Sequence, residues 1–264
     1  MDRYNAVDGG LLAAGIAYNT LFALIPMALF GSGLLGFFVN DPKSMEAVRS
    51  ALIGWAPPLE GVVNELLDGL SDASPSLSII GLVGTAWGAS RLFAALELGI
   101  GAMFVEVPRL GLVARTLRRL ASILVVAGVV IGAFVATSIA SLVSELGFVG
   151  DSALDVVGVV ALVVLPVVVI GVAIAIVYRF VPPVRPGFGA IAMPAIVIAV
   201  GLVVLSRVFA IVAPRLLGAN FVYGTLGAIF VALAWLGSAY SLLLIGAAWV
   251  RERMDREEET ATVA

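Results

Sequence analysis

No charged side chain interrupts GGLLAAGIAYNTLFALIPMALFGSGLLGFFV, the 31 residues from Gly9 to Val39. At about 1.5 Å per residue, a helix of this length crosses the roughly 30 Å hydrocarbon core of a bilayer. Five further apolar runs of about twenty residues or more follow in the chain. The 264 residues are 61% hydrophobic and only 12% charged, which leaves less polar surface than a soluble domain of this size needs. The sequence therefore predicts an integral membrane protein.

Backbone groups in lipid must be hydrogen-bonded internally, and long continuous apolar runs favour helices over the short alternating strands of a membrane barrel. The predicted fold class is all-α, a polytopic membrane protein with six transmembrane helices. The predicted spans are 11–38, 78–104, 120–143, 154–180, 188–212 and 222–249. We expect residues 1–250 to form one transmembrane domain. Residues 251–264 are expected to be a charged cytoplasmic tail, disordered beyond the frayed end of the last span.

The distribution of basic residues predicts the orientation of these spans. An even number of spans places both termini on one side, and that side carries ten basic residues against three on the other. The ten are Arg3, Arg109, Arg115, Arg118, Arg119, Arg179, Arg185, Arg251, Arg253 and Arg256, and the three are Lys43, Arg49 and Arg215. Because basic loops are retained in the cytoplasm, both termini are predicted to be cytoplasmic.

The first outer loop, 40–76, carries an amphipathic pattern. Within LEGVVNELLDGL, from Leu59 to Leu70, the apolar residues share one helical stripe and the acidic residues lie on the other face. Pro57 and Pro58 separate this helix from a preceding one. The pattern suits helices at the membrane surface, a lid over the bundle, or a solvated loop packed on it, and these alternatives stay open.

Three charged residues lie inside the predicted spans, where each costs about 2.5–3.5 kcal/mol on insertion scales. Arg91 is near the middle of the second span, Glu97 lies six residues further along, and Arg207 is in the outer half of the fifth span. Two arginines against one carboxylate leave a positive charge that needs carbonyls, water or an anion. We interpret this surplus as a polar cavity that accepts anions. For Arg207 the alternative is a side chain that reaches the membrane surface.

The first span also contains polar residues, within AYNTLFALIP. Tyr18, Asn19 and Thr20 precede Pro26, which removes a backbone donor and favours a kink. Such a segment is expected to face protein or water rather than lipid. These side chains are predicted either to line a substrate path or to form interhelical hydrogen bonds.

Two GxxxG patterns permit close approach between helices. They are GTAWG, from Gly84 to Gly88, and GVVIG, from Gly128 to Gly132. Both are short enough to arise by chance in apolar helices.

The chain contains no cysteine and no histidine. Disulfides, zinc sites with thiolate or imidazole ligands and histidine acid–base catalysis are therefore excluded. No nucleophile and base pair can be named, so we expect neither an enzyme nor a cofactor or metal. The basic loop RLGLVARTLRRL, from Arg109 to Leu120, is expected to determine topology rather than to bind nucleic acid.

Five stretches occur in order between Ala13 and Ala248: AYNTLFALIP, WGASRLFAALELGI, YRFVPP, YGTLGAIFVALAWL and LLLIGAA. As an ordered set they resemble the YihY/BrkB family of bacterial inner-membrane proteins. The resemblance implies six spans, a location in the bacterial cytoplasmic membrane, and a role described as virulence-related or transporter-like. Ala248 stands where the family usually carries a glutamate. Members of the family have also been labelled a ribonuclease, but this chain offers no histidine and, outside the tail predicted to be disordered, no clustered cytoplasmic carboxylates for that chemistry.

Two functions are compatible with these features. The first is a transporter or permease for a small solute, anionic or lipid-like, whose path is lined by Tyr18, Asn19, Thr20, Pro26, Arg91, Glu97 and Arg207. The second is a non-transporting envelope protein that organises lipids or protein partners through its outer loop. The expected partners are the lipid bilayer and an unidentified solute, with no nucleic acid, and homo-oligomerisation stays open.

Overall fold

The computed structural model describes residues 2–38, 75–104, 154–184, 186–218 and 224–263, together with positions 46, 49, 50, 53, 60, 61 and 64. Within these ranges the chain is helical apart from short turns, which confirms the predicted all-α class. The helices are α1 (Asp2–Ala6), α2 (Gly9–Phe38), α3 (Pro75–Met103), α4 (Leu154–Phe180), α5 (Phe188–Gly218) and α6 (Gly224–Val263).

Five predicted spans coincide with helices α2 to α6. Each helix begins within a few residues of the predicted start, and α4 matches the predicted range 154–180 at both ends. The predicted span 120–143 lies outside the described residues. So does most of the outer loop 40–76, although the seven positions described there are all helical.

Two helical segments have the length and composition of membrane spans. They are Phe188–Arg215 within α5 and Leu226–Thr260 within α6. Gly9–Leu24 and Val167–Phe180 are shorter apolar helical segments. The described part of the chain thus contains at least two helices that are able to cross a bilayer by length and composition.

The predicted disorder of the C-terminal tail is wrong, because α6 continues to Val263. Charged residues four apart pair along this extension: Arg251 lies 3.0 Å from Asp255, and Arg256 lies 2.6 Å from Glu252. Such pairs stabilise a helix by a few tenths of a kcal/mol each. The charge content of this segment predicted disorder, but the spacing of its opposite charges favours a helix.

The chain forms two compact units, each assembled from separate parts of the sequence. Unit 1 comprises Met1–Val7, Ile100–Val203 and Leu242–Ala264. Unit 2 comprises Asp8–Gly99 and Val204–Ser241.

In unit 1, the core is built where α4, α5 and α6 meet at a glycine. The fully buried Tyr178 of α4 donates its hydroxyl proton to the carbonyl of Leu243, at 2.7 Å. Its hydroxyl lies over Gly246, and a Cβ built there would overlap it and would approach Ile198 Cγ1 to 2.6 Å. Two of the family-like stretches, YRFVPP and LLLIGAA, therefore contact each other through a tyrosine and a glycine.

Helices α5 and α6 are antiparallel in unit 1. A Cβ built at Gly189 lies 3.6 Å from Glu257 Oε1, and one built at Gly201 lies 3.6 Å from Leu242 Cδ1. The residue number rises along α5 as it falls along α6, which fits the alternating directions predicted for successive spans.

Candidate functional site

All seven predicted path residues belong to unit 2, whose helices α2 and α3 are in close contact. A Cβ built at Gly84 would lie 2.8 Å from Pro26 Cβ, and one at Gly88 would lie 3.0 Å from Ala23 Cα. Only glycine permits this approach, so GTAWG, which sequence alone did not distinguish from a chance pattern, forms a close helix contact. The second pattern, GVVIG, lies outside the described residues. The order of the two contacts makes α2 and α3 antiparallel.

Thr20 joins α2 to α6 by a hydrogen bond. Its hydroxyl oxygen lies 2.8 Å from the carbonyl of Ile16 and 2.8 Å from the hydroxyl of Tyr240. A hydroxyl has one proton, so if Thr20 donates to the carbonyl of its own helix, Tyr240 donates to Thr20. Beside this bond, the residues that pack around the fully buried Ala232 of α6 are Leu21, Leu24 and Trp235.

Asn19 bonds within its own helix. Its side-chain amide donates to the carbonyl of Gly15 at 2.7 Å. Asn19 and Thr20 therefore both bond carbonyls one turn earlier in α2, a pattern that competes locally with helix hydrogen bonds. Neither reaches the carbonyl of Phe22, the one deprived of a backbone donor by Pro26.

Four exposed residues of α2 and α3 form what we call the lateral strip: Tyr18, Phe22, Trp87 and Arg91. The rings of Tyr18 and Phe22 have centroids 4.6 Å apart, and Trp87 is 61% exposed. The Arg91 guanidinium lies over the Trp87 ring, 5.6 Å from its centroid, within the range of a cation–π interaction.

The strip residues of the two helices lie on one side of the α2–α3 contact. Viewed along each helix axis, the strip residues are rotated by up to about a quarter turn from the residues that form the α2–α3 contact. The direction of this rotation is the same on both helices. In an antiparallel pair, equal offsets point to the same side. The result is a surface patch of three aromatic rings and one guanidinium.

Two arginines lie inside the predicted spans 78–104 and 188–212, where the sequence predicted a polar cavity. Arg91 and Arg207 are both exposed, and among the described residues neither is paired with a carboxylate. Glu97 is half-buried and lies about 120° around α3 from Arg91. Helices that are apolar on every face carry no pattern to show which side is interior, so sequence reasoning identified the charges but not their direction.

Sequence reasoning missed two of the side chains that organise the helices. Tyr240 lies in GSAYS, from Gly237 to Ser241, a polar interruption of the last span that was a usable signal. Tyr178 had no such signal, because its role depends on Gly246 in a distant helix.

A sequence model of the virulence factor BrkB family matches residues 1–263 of the chain. No curated protein and no solved structure matches it.

Proposed function

Because this chain belongs to the virulence factor BrkB family, we propose that it is a six-span protein of the bacterial cytoplasmic membrane that transports an anionic, lipid-like solute. Family membership and the two membrane-length helices indicate a membrane protein. The six spans, the cytoplasmic termini and the transport are the further steps of the proposal. Arg91 on the lateral strip is the residue on which the transport step depends.

The exposed faces of the described helices support insertion in a bilayer. Soluble proteins rarely expose long contiguous apolar stripes, whereas lipid covers them at no cost. Stripes on α4 and α5 have side chains that are 47–57% exposed at Val164, Val168, Val172, Val204, Val208 and Ile211. These residues are as apolar as those in the core.

The position of Arg91 along α3 supports a role in moving an anionic group across the membrane. Helix α3 runs from Pro75 to Met103, so Arg91 lies about 3 Å from its midpoint. If α3 is centred in the bilayer, the nearest interface is about 12 Å away, farther than an arginine side chain reaches. A guanidinium at this depth requires an anion or water.

The exposure of Arg91 favours an amphiphile over a free ion. A small hydrophilic anion needs a water-filled path enclosed by protein, whereas a lipid-like solute keeps its apolar part in the surrounding lipid. Its anionic group would contact Arg91 while its chains lie against Phe22 and Trp87. Stacking on Trp87 orients the guanidinium and leaves its N–H edges for an oxyanion.

The test is lipid translocation in reconstituted vesicles. Headgroup-labelled phosphatidylglycerol and phosphatidylcholine are placed in both leaflets, and a membrane-impermeant quencher reports how fast the inner label becomes accessible. We expect the protein to accelerate translocation of the anionic lipid more than of the zwitterionic one, and Arg91→Ala to abolish the difference. Arg215→Ala, an exposed arginine near the end of α5, is the matched control.

If each lipid translocates at the same rate in vesicles with the protein as in protein-free vesicles, transport of this lipid class is contradicted. It would favour the alternative, an envelope protein that organises lipids or partners through the outer loop 40–76. Most of that loop lies outside the described residues.

A further inference from the structure

Two arginines from opposite ends of the chain converge on one carboxylate in unit 1. Arg3 of α1 donates from Nη2 to Asp255 Oδ2, and Arg251 of α6 forms an ion pair with the same carboxylate, its Nη2 lying 3.0 Å from Asp255 Oδ1. The formal charge of the three side chains is +1. Arg251 and Asp255 are one turn apart on α6, so Asp255 connects its own helix to the N-terminal one.

Each guanidinium has an adjacent N–H group that the carboxylate leaves unsatisfied. Arg3 Nη1 and Arg251 Nε are buried, and neither has a hydrogen-bond partner in the described structure. In each arginine, the unsatisfied N–H lies on the same edge of the guanidinium as the Nη2 atom that pairs with Asp255. Buried donors without an acceptor are costly, so this arrangement calls for a ligand with more acceptor atoms.

We propose that Arg3 and Arg251 form a binding site for a phosphate-type oxyanion, which Asp255 occupies when that anion is absent. The two guanidinium edges offer four N–H groups, whereas a carboxylate accepts from them with two oxygens. A tetrahedral phosphate has three or four oxygens and accepts a bidentate pair from each arginine. A doubly charged phosphate also balances the two arginines, which one carboxylate does not.

The site lies at the level of α6 where phosphate groups of lipids or of the aqueous phase are expected. Arg251 directly follows the apolar part of α6, at the point where its sequence changes from LLLIGAAWV to RERMDREEE. This change in polarity is expected at the boundary between hydrocarbon and water. Free phosphate and a lipid with a phosphomonoester headgroup, such as phosphatidic acid, both have the required charge and number of oxygens. The site does not involve the lateral strip, so its test is independent of the proposed transport.

The experiment is a calorimetric titration of the purified full chain in neutral detergent. The probes are inorganic phosphate, short-chain phosphatidic acid, and short-chain phosphatidylcholine as the phosphodiester control. We expect Arg3→Gln to weaken binding about 10- to 100-fold, the effect of losing hydrogen bonds to a charged group. Asp255→Asn removes the competing carboxylate and should tighten binding about tenfold. Arg256→Gln is the matched control, because Arg256 pairs with Glu252 on the same helix and should leave binding unchanged.

The outcomes separate the two sources of phosphate. Saturable binding of inorganic phosphate alone assigns the site to a soluble anion, and binding of phosphatidic acid alone assigns it to a lipid headgroup. The proposal is overturned if no probe binds, if Arg3→Gln binds as tightly as the wild type, or if Asp255→Asn binds more weakly. The gain expected for Asp255→Asn cannot arise from misfolding, so that variant remains decisive if Arg3→Gln is unstable.

Discussion

The contact between Tyr178 and Gly246 predicts that the smallest possible substitution at Gly246 destabilises the fold. Gly246→Ala introduces a Cβ that overlaps Tyr178 Oη and lies 2.6 Å from Ile198 Cγ1. Both neighbours belong to the buried core, where overpacking costs about 1–3 kcal/mol. Displacing the tyrosine also breaks its 2.7 Å hydrogen bond to Leu243, and an unsatisfied buried group costs about 1–3 kcal/mol.

The helix propensity of alanine opposes this cost only in part. Alanine is favoured over glycine in a helix by about 1 kcal/mol, so the net destabilisation expected for Gly246→Ala is about 1–5 kcal/mol. Gly237→Ala, on the same helix, is the matched control, because a Cβ built there has nothing within 4 Å. That variant should be unchanged or up to about 1 kcal/mol more stable.

The measurement is the free energy of unfolding by sodium dodecyl sulfate in mixed micelles, followed by circular dichroism. Tyr178→Phe removes the overlapping oxygen, so in the double variant the cost of Gly246→Ala should shrink. A Gly246→Ala protein as stable as Gly237→Ala would refute the packing argument. Additive effects of Tyr178→Phe and Gly246→Ala would refute the contact between the two residues.

Three further predictions concern unit 2. Tyr240→Phe should cost about 0.5–1.5 kcal/mol in the same unfolding assay through loss of its hydrogen bond to Thr20, and no change would mean that this bond is replaced by water. Gly84→Val should separate α2 from α3, because even a Cβ built at Gly84 would lie 2.8 Å from Pro26 Cβ. The yield of cysteine crosslinking between the two helices should therefore fall, and an unchanged yield would contradict the contact. Arg91→Ala should slow translocation of the anionic lipid at least about tenfold, since a charge contact in a partly screened site is worth up to about 4 kcal/mol; a wild-type rate would exclude Arg91 from the path.

The lateral strip suggests how transport would avoid a water-filled channel. Its aromatic rings and guanidinium lie on an exposed face, and the exposed residues of α4 and α5 are mostly apolar, with Arg207 and Arg215 as charged exceptions on α5. A solute with an apolar tail needs the protein only at its charged group. This division of roles is consistent with the position of Arg91, whose exposed guanidinium lies near the middle of α3. Among the described residues, Arg91 has no charged partner.

Sequence reasoning selected the path candidates because charged residues and proline inside a predicted span are rare and costly. It did not find that Asn19 bonds to Gly15, that Thr20 meets Tyr240, or that Arg3 and Asp255 pair across the length of the chain. Such contacts depend on which helix faces which, and an apolar residue serves equally well against lipid or against another helix. The charged extension of α6 was misjudged for a different reason, because overall charge was weighed above the spacing of opposite charges.

The helical class, the approximate starts of α2 to α6 and the ends of α2 to α4 follow from the sequence alone. These properties depend on local quantities: the length of an apolar run, the rise of a helix and the positions where polar residues resume. Only the tertiary structure decided that Arg91 lies on an exposed face beside Trp87, that Gly246 lies under Tyr178, and that two arginines converge on Asp255. The physical reason is that a helix apolar on all sides has no preferred direction of its own. Its interior face is chosen by close packing at small residues and by a few hydrogen bonds to distant parts of the chain.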